Sequence, residues 1–330
     1  MTVKIGKLPE QVLVRSVLRQ AGHRREEVLA GPAVGRDCAA MALGENEVFV
    51  LSTDPITGTA KDIGSHGIHI TANDLAASGA EPVGVLITAL LPEDIREEQI
   101  REIMQDAEEV CRELNMEILG GHTEVTRAVA QPLLSVTGVG KADRGELLTA
   151  GMIHPGQDLV VTKWIGLEAT AILAKEKEQE LLSRFSQDFV RAARSFGQYI
   201  SVVADARIAK NFGVSAMHDI TEGGIFGALW EMAEGSGVGL EADLKAIPIR
   251  QETVEICEYF GLNPYQIMSS GSLLIAAEDG PGLVRALAES NIRGTVIGRA
   301  TAGPGRILRN GEDVRYLERP QPDELYKIMG

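Results

Sequence analysis

Apolar and polar positions along the chain switch between strand-like and helix-like spacing. The stretches "EVFVLSTD" (47–54) and "VGVLITALL" (83–91) are apolar runs of strand length. Between them, "ITANDLAASGAEP" at 70–82 reads as a helix of small residues, ended by Gly79 and by Pro82, which cannot continue it. A long acidic helix over 93–115 leads to the strand "MEILGG" and the apolar stretch "PLLSVTGVG". The Gly-rich segment "KADRGELLTAGMIHPG" predicts a boundary between a first domain over 1–150 and a second over 151–330. The second half opens with the strand "QDLVVTK" and a charged helical stretch over 167–210, whose charges mark a solvated face. The strand "VSAMHD", the helix "GGIFGALWEMAEG" and the strand "GSLLIAAE" follow, with further strand patterns at "RGTVIG" and "GRILRNGEDVRYL". The tail "ERPQPDELYKIMG" reads as a surface extension. Both halves therefore predict mixed layers of sheet and helix.

Composition narrows the classes. The chain has 330 residues, enough for about two domains, and its 44% apolar content supports a real core. Its net charge of −15 would repel nucleic acid and anionic lipid, so a phosphate-bearing ligand needs a cation or local donors. Neither a nucleic acid nor a membrane is expected as partner. Cys38, Cys111 and Cys257 are odd in number and form no C-x-x-C pair, which argues against a disulfide framework or a structural zinc. The N-terminus lacks the apolar core of a signal peptide, and the longest apolar run is too short to span a bilayer. A reduced cytoplasmic protein is the simplest expectation.

Candidate chemistry gathers at predicted strand ends, where loops and helix starts converge on ligands. These ends carry Asp37, Asp54, Lys61, Asp62, Asn73 and Asp74 in the first half. "GGHTEVT" adds His122, Thr123 and Glu124, and "HDITEGG" adds His218, Asp219, Thr221 and Glu222. Several carboxylates with neutral oxygen donors make a hard-cation site, and the glycines allow close approach of backbone N–H groups to an anion. Together they read as a nucleotide–Mg²⁺ site with no Walker loop and no dinucleotide fingerprint. Asp74 in mid-helix would be costly to bury alone, so it and Asn73 are expected to face a cation rather than a core. His66 and His69, spaced i, i+3, read as packing or surface residues, and Cys38 as an inert thiol.

In order, "TD" with a Gly-bearing loop, "KDIG", "NDLAASGAEP", "GGHT" and "HDITEGGI" resemble one ATP-binding superfamily, over about residues 37 to 278. It includes aminoimidazole ribonucleotide synthetase, selenophosphate synthetase, thiamine-monophosphate kinase and the hydrogenase-maturation carbamoyl dehydratase. The hydrogenase-maturation branch is closest in spacing. The resemblance implies a mixed α/β, two-domain PurM-like architecture, with an N-terminal sheet that pairs with a second subunit and a C-terminal α/β domain. It also implies ATP in the cleft between halves, with Mg²⁺ on its phosphates. By motif position, Asp37, Asp54 and Asp74 resemble metal–phosphate carboxylates, with Glu124 as a further metal ligand where His122 replaces the Asp of some relatives. Asp54, Asp74 and Lys61 take the catalytic positions. Asp37, Asp62, Asn73, Gly120, Gly121, His122, Thr123, Asp219, Thr221 and Glu222 take nucleotide-binding ones.

The shared chemistry would transfer phosphate from ATP to a carbonyl or amide oxygen of a small molecule or a carrier protein. The chain departs from its closest branch in ending "LYKIMG", without the C-terminal cysteine that the dehydratase modifies, so that reaction on its own tail is not expected. Two other readings stay open: a nucleotide-binding scaffold in a maturation pathway, and a metal-dependent hydrolase built on His66, His69, His122 and the aspartates.

Overall fold

The computed structural model describes residues 6–7, 10–32, 40–56 and 62–329. The chain divides into two units, one of residues 1–76 with 80–147, the other of 77–79 with 148–330. Asp37, Cys38 and Lys61 lie outside the described residues.

The first unit holds strands β1 (Gly6–Lys7), β2 (Val28–Ala30), β3 (Ala40–Met41), β4 (Glu47–Ile56), β5 (Glu81–Leu91), β6 (Glu117–Val125) and β7 (Leu133–Asp143). Five of them form a sheet in the order β1-β6-β5-β7-β4, and β2 pairs with β3. β5 and β6 run parallel, as the intervening helix Glu97–Glu113 allows, and the other pairs are antiparallel. Period-2 alternation sets the faces. Val85, Ile87, Ala89 and Leu91 of β5 are buried, whereas Leu86 and Thr88 are open. The helix Ile63–Ala77 covers the buried side of β4 and β7, with Gly67 seated against Ile56 and Val136. It carries His66, His69 and Asp74 together and stops at Ala77, while Pro82 already belongs to β5. The other face of the sheet leaves Phe49, Leu51 and Leu86 exposed at 48%, 66% and 37%.

The second unit holds β8 (Asp158–Thr162), β9 (Ala216–Asp219), β10 (Gly239–Asp243), β11 (Leu273–Ala277), β12 (Gly294–Thr301), β13 (Arg306–Asn310) and β14 (Asp313–Tyr316). Their order is β14-β13-β10-β12-β8-β11-β9, with only β10 and β13 parallel. Gly294 pairs with Thr162, Leu273 with Asp219 and Asp243 with Arg309. This register brings the C-terminal ends of β8, β9, β10 and β13 to one end of the sheet. Leu159, Val161, Leu240, Leu274 and Leu308 form the core with Ile225, Leu229 and Met232 of the helix Gly224–Ser236.

Two expectations need correction here. The charges of 167–210 do not all face solvent: Glu168 and Asp205 are buried. Glu168 accepts from the Ser270 N–H, and Asp205 pairs with buried Lys163 at 3.0 Å, so each has the partner that burial demands. Nor is the tail a loose extension. Leu325 packs into the cluster of Leu173, Leu181 and Ile256, and Asp323 is buried. Strand β10 and the helices Gln251–Phe260 and Gly280–Glu289 were not anticipated. No described helix is long and apolar enough to cross a membrane.

Candidate functional site

The alternation of β4 places Ser52, Asp54 and Ile56 on the side covered by the helix Ile63–Ala77, and Asp74 stands on that helix about two turns beyond Gly67. The Ser52 hydroxyl donates to the Asp74 carboxylate and lies 3.4 Å from Asp54 Oδ2. A hydroxyl has one proton to give. Two carboxylates thus converge on a single donor, an arrangement that hard cations with oxygen ligands complete.

The neighbouring candidates divide. Asn73 is wholly buried and Asp74 partly so, and Asp74 meets Ser52 of β4. Asp62 starts the helix at φ 57°, and its carbonyl accepts from the His66 N–H at 2.9 Å. Its charge adds to burial in raising the Asp106 acid above the usual range.

The "GGHTE" segment lies inside β6, not in a loop. Gly121, His122, Thr123 and Glu124 pair with Ile87, Thr88, Ala89 and Leu90, and Gly120 with Leu86. The register puts Thr123 on the covered face and His122 and Glu124 on the open one, joined at 3.1 Å. Within the chain, therefore, Glu124 does not join Asp54 and Asp74 as a metal ligand. Among the described residues no three His, Cys, Asp or Glu groups stand close enough to hold a metal ion, and His66 and His69 build no such site. Cys111 and Cys257 are buried, and burial pushes both thiols up, Cys257 to about 12, so neither is a nucleophile.

In the second unit, β9 ends at Asp219 and a short turn leads into the helix Gly224–Ser236. Asp219 is buried, and its Oδ2 finds no hydrogen-bond partner among the described residues. His218 sits between Asp219, at 3.8 Å, and Glu231, at 2.9 Å. Burial opposes its charge, but these two carboxylates outweigh burial and push the imidazole up to about 10. The Thr221 carbonyl accepts from Gly224 N–H at 3.1 Å, and Glu222 accepts from the Tyr326 hydroxyl. Gly224 has φ 60°, and a Cβ there would lie 2.7 Å from the carbonyl oxygens of both Tyr265 and Ile267. Only glycine fits this position. Sequence reasoning missed Ser52, Glu231, Asp323 and Tyr326. The signal for Ser52 was its place two residues before Asp54 on one strand face.

Fold and site define a two-unit mixed α/β protein of PurM-like architecture that gathers acidic groups at strand ends in each unit. The family model described as AIR synthase related protein, N-terminal domain, matches residues 35–142, and that of the C-terminal domain matches 154–309. The chain belongs to this family. It is 31% identical over 302 residues to a hydrogenase expression/formation protein of Methanocaldococcus jannaschii, covering 88% of each chain. It is 29% identical over 286 residues to the carbamoyl dehydratase HypE of Cupriavidus necator, covering 84% of this chain and 78% of that one. Its fold matches the crystal structure of the hydrogenase maturation protein HypE in complex with ATP, with a TM-score of 0.81, 19% identity and 97% coverage of both chains.

Proposed function

We propose that the chain is an ATP- and Mg²⁺-dependent enzyme that phosphorylates a carbonyl or amide oxygen of a small-molecule or carrier-protein substrate. The observation that carries this reading is the convergence of Asp54 and Asp74 on the single Ser52 hydroxyl. Relatives named as carbamoyl dehydratases support an acceptor with an amide-type oxygen. Asp54 and Asp74 would hold Mg²⁺, which when bound neutralises phosphate charge. Asp37 and Lys61 are proposed for the same centre from sequence alone. In the second unit, Asp219, Thr221 and Glu222 are the proposed nucleotide contacts, and the unpartnered Asp219 Oδ2 fits a donor awaiting a ligand.

The reaction forms a bond between the γ-phosphorus and the acceptor oxygen as the bond to the β,γ-bridging oxygen breaks. The acceptor oxygen thereby becomes a leaving group for the dehydration or ring closure that follows. The protein's part is to orient both partners and exclude water. The exposed Phe49, Leu51 and Leu86 support a homodimer formed through the open face of the first sheet.

Calorimetric titration of ATP, with and without MgCl₂, into wild type and Asp74→Asn tests the reading. Binding that needs Mg²⁺ and weakens at least about tenfold in the variant is expected. Affinity that ignores both Mg²⁺ and the substitution overturns it. Mg-ATP binding without phosphate release with any acceptor favours the scaffold reading instead.

A further inference from the structure

The β13–β14 hairpin, the residues after β10 and Tyr265 enclose a pocket of about 460 Å³. That is within the usual range for small-molecule sites. Leu244, Leu308 and Val314 supply apolar walls, and Lys245, Asn310 and Arg315 the polar ones. In a chain of net charge −15, two cations on one concavity are unexpected. Neither Lys245 nor Arg315 makes an ion pair among the described residues; the Arg315 guanidinium rests 5.6 Å over the Phe226 ring. Among the described residues Asp313 is the one carboxylate lining the pocket, which leaves a positive charge in excess. Tyr265 stacks on Phe226 with centroids 5.3 Å apart and planes 9° from parallel, so its ring is held rigidly at the wall.

We propose that this pocket binds a small organic anion, with a carboxylate or phosphate head on Lys245 and Arg315 and a flat apolar body against Tyr265. Arg315 offers a planar fork of donors to such a head, and Lys245 a point charge. Asn310 can hydrogen-bond the ligand's remaining polar atoms, and Asp313 disfavours heads of excess negative charge. Leu244 follows β10 and Asn310 ends β13, which places the pocket at the same end of the sheet as Asp219. The Tyr265 carbonyl accepts from the Phe226 N–H at 3.1 Å and abuts Gly224. The backbone that carries Tyr265 is thus tied to the start of the helix that follows Glu222. The proposal stands on this pocket alone and holds whether or not the chain uses ATP.

The test is titration of benzoate and of phenyl phosphate into the full-length wild type, followed by ligand-observed NMR, with phenol as the uncharged control. Exposed Lys245 and Arg315 tolerate replacement, so Lys245→Gln and Arg315→Gln are expected to fold normally and to weaken the favoured probe about tenfold each. Arg191→Gln, remote on the helix Gln187–Arg194, leaves binding unchanged, as does Asp74→Asn, which separates this pocket from the proposed metal site. Whichever of the two anions binds more tightly identifies the head group. The proposal is overturned if neither anion binds saturably at millimolar concentration, if phenol binds as well as they do, or if both pocket variants bind like wild type.

Discussion

The Tyr326 hydroxyl donates to the Glu222 carboxylate across 104 residues of chain, so the C-terminal helix Tyr326–Met329 is tied to the turn that follows β9. Buried Asp323 reinforces the tie by accepting from the Gly223 N–H at 2.8 Å and the Leu325 N–H at 2.9 Å. The hydrogen bond to Glu222 raises the Tyr326 phenol above its ordinary range, with burial acting in the same sense. Tyr326→Phe is expected to cost about 1 kcal/mol or less and to speed carboxypeptidase release of the last residues. A digestion rate equal to that of wild type would show that Leu325 and Asp323 hold the tail without help from the phenol.

Ser52 donates to Asp74 and lies 3.4 Å from Asp54, and its loss leaves both carboxylates without that hydroxyl. Ser52→Ala should lower the unfolding free energy by about 1–2 kcal/mol in EDTA, read from urea denaturation. If Mg²⁺ occupies the site, added MgCl₂ will recover part of the difference. An unchanged urea midpoint in EDTA would remove Ser52 from the site.

His218 gives the second unit a signature in pH. Its folded value, about 10, exceeds the ordinary 6.5, so the charged imidazole stabilises the fold. That contribution is fully present below pH 6.5 and is lost as the pH rises through 10. His218→Gln should therefore flatten the fall in stability across this window, measured as urea midpoints at matched ionic strength. Parallel curves for the two proteins would contradict the pairing with Asp219 and Glu231.

Gly224 and Gly213 offer a matched comparison. Both have positive φ, 60° and 89°, but a Cβ at Gly213 meets nothing within 4 Å, whereas one at Gly224 runs into two carbonyl oxygens. Gly213→Ala is expected to cost about 1 kcal/mol, from backbone strain alone. Gly224→Ala should cost more than about 2 kcal/mol and displace the turn bearing Glu222. Thermal denaturation of both variants decides; equal costs would mean that the turn yields.

Much of this architecture was legible because its strands are either apolar runs, as in β8 and β11, or alternate along part of their length, as in β4 and β5, and all four stand close to where those patterns put them. It misled at "GGHTE", where two glycines read as the end of a strand. A Cβ at Gly121 would come within 1.9 Å of the Ile87 carbonyl oxygen, so this glycine marks a close cross-strand approach inside β6, not a turn. The positions of His122 and Glu124 followed from that one misreading. The ties of Ser52, Asp323 and Tyr326 join residues distant in sequence, and local pattern does not encode such contacts. Asp54, Asp74 and Asp219 were legible because carboxylates beside strand ends and small-residue helices have few structural reasons to be there.

The ladder that joins β4 to β7 runs without a break from Glu47 opposite Asp143 to Ile56 opposite Leu134. Among the described residues, β4 is an edge strand with no other neighbour in this sheet. On the ribosome its ten residues emerge long before the strand that completes them. Until 133–143 have been made, its main-chain donors and acceptors stay open to whatever lies near. Of the strands in this sheet, β7 is the last to be made. A chain arrested before residue 133 would be a natural client for a chaperone that recognises unpaired strands.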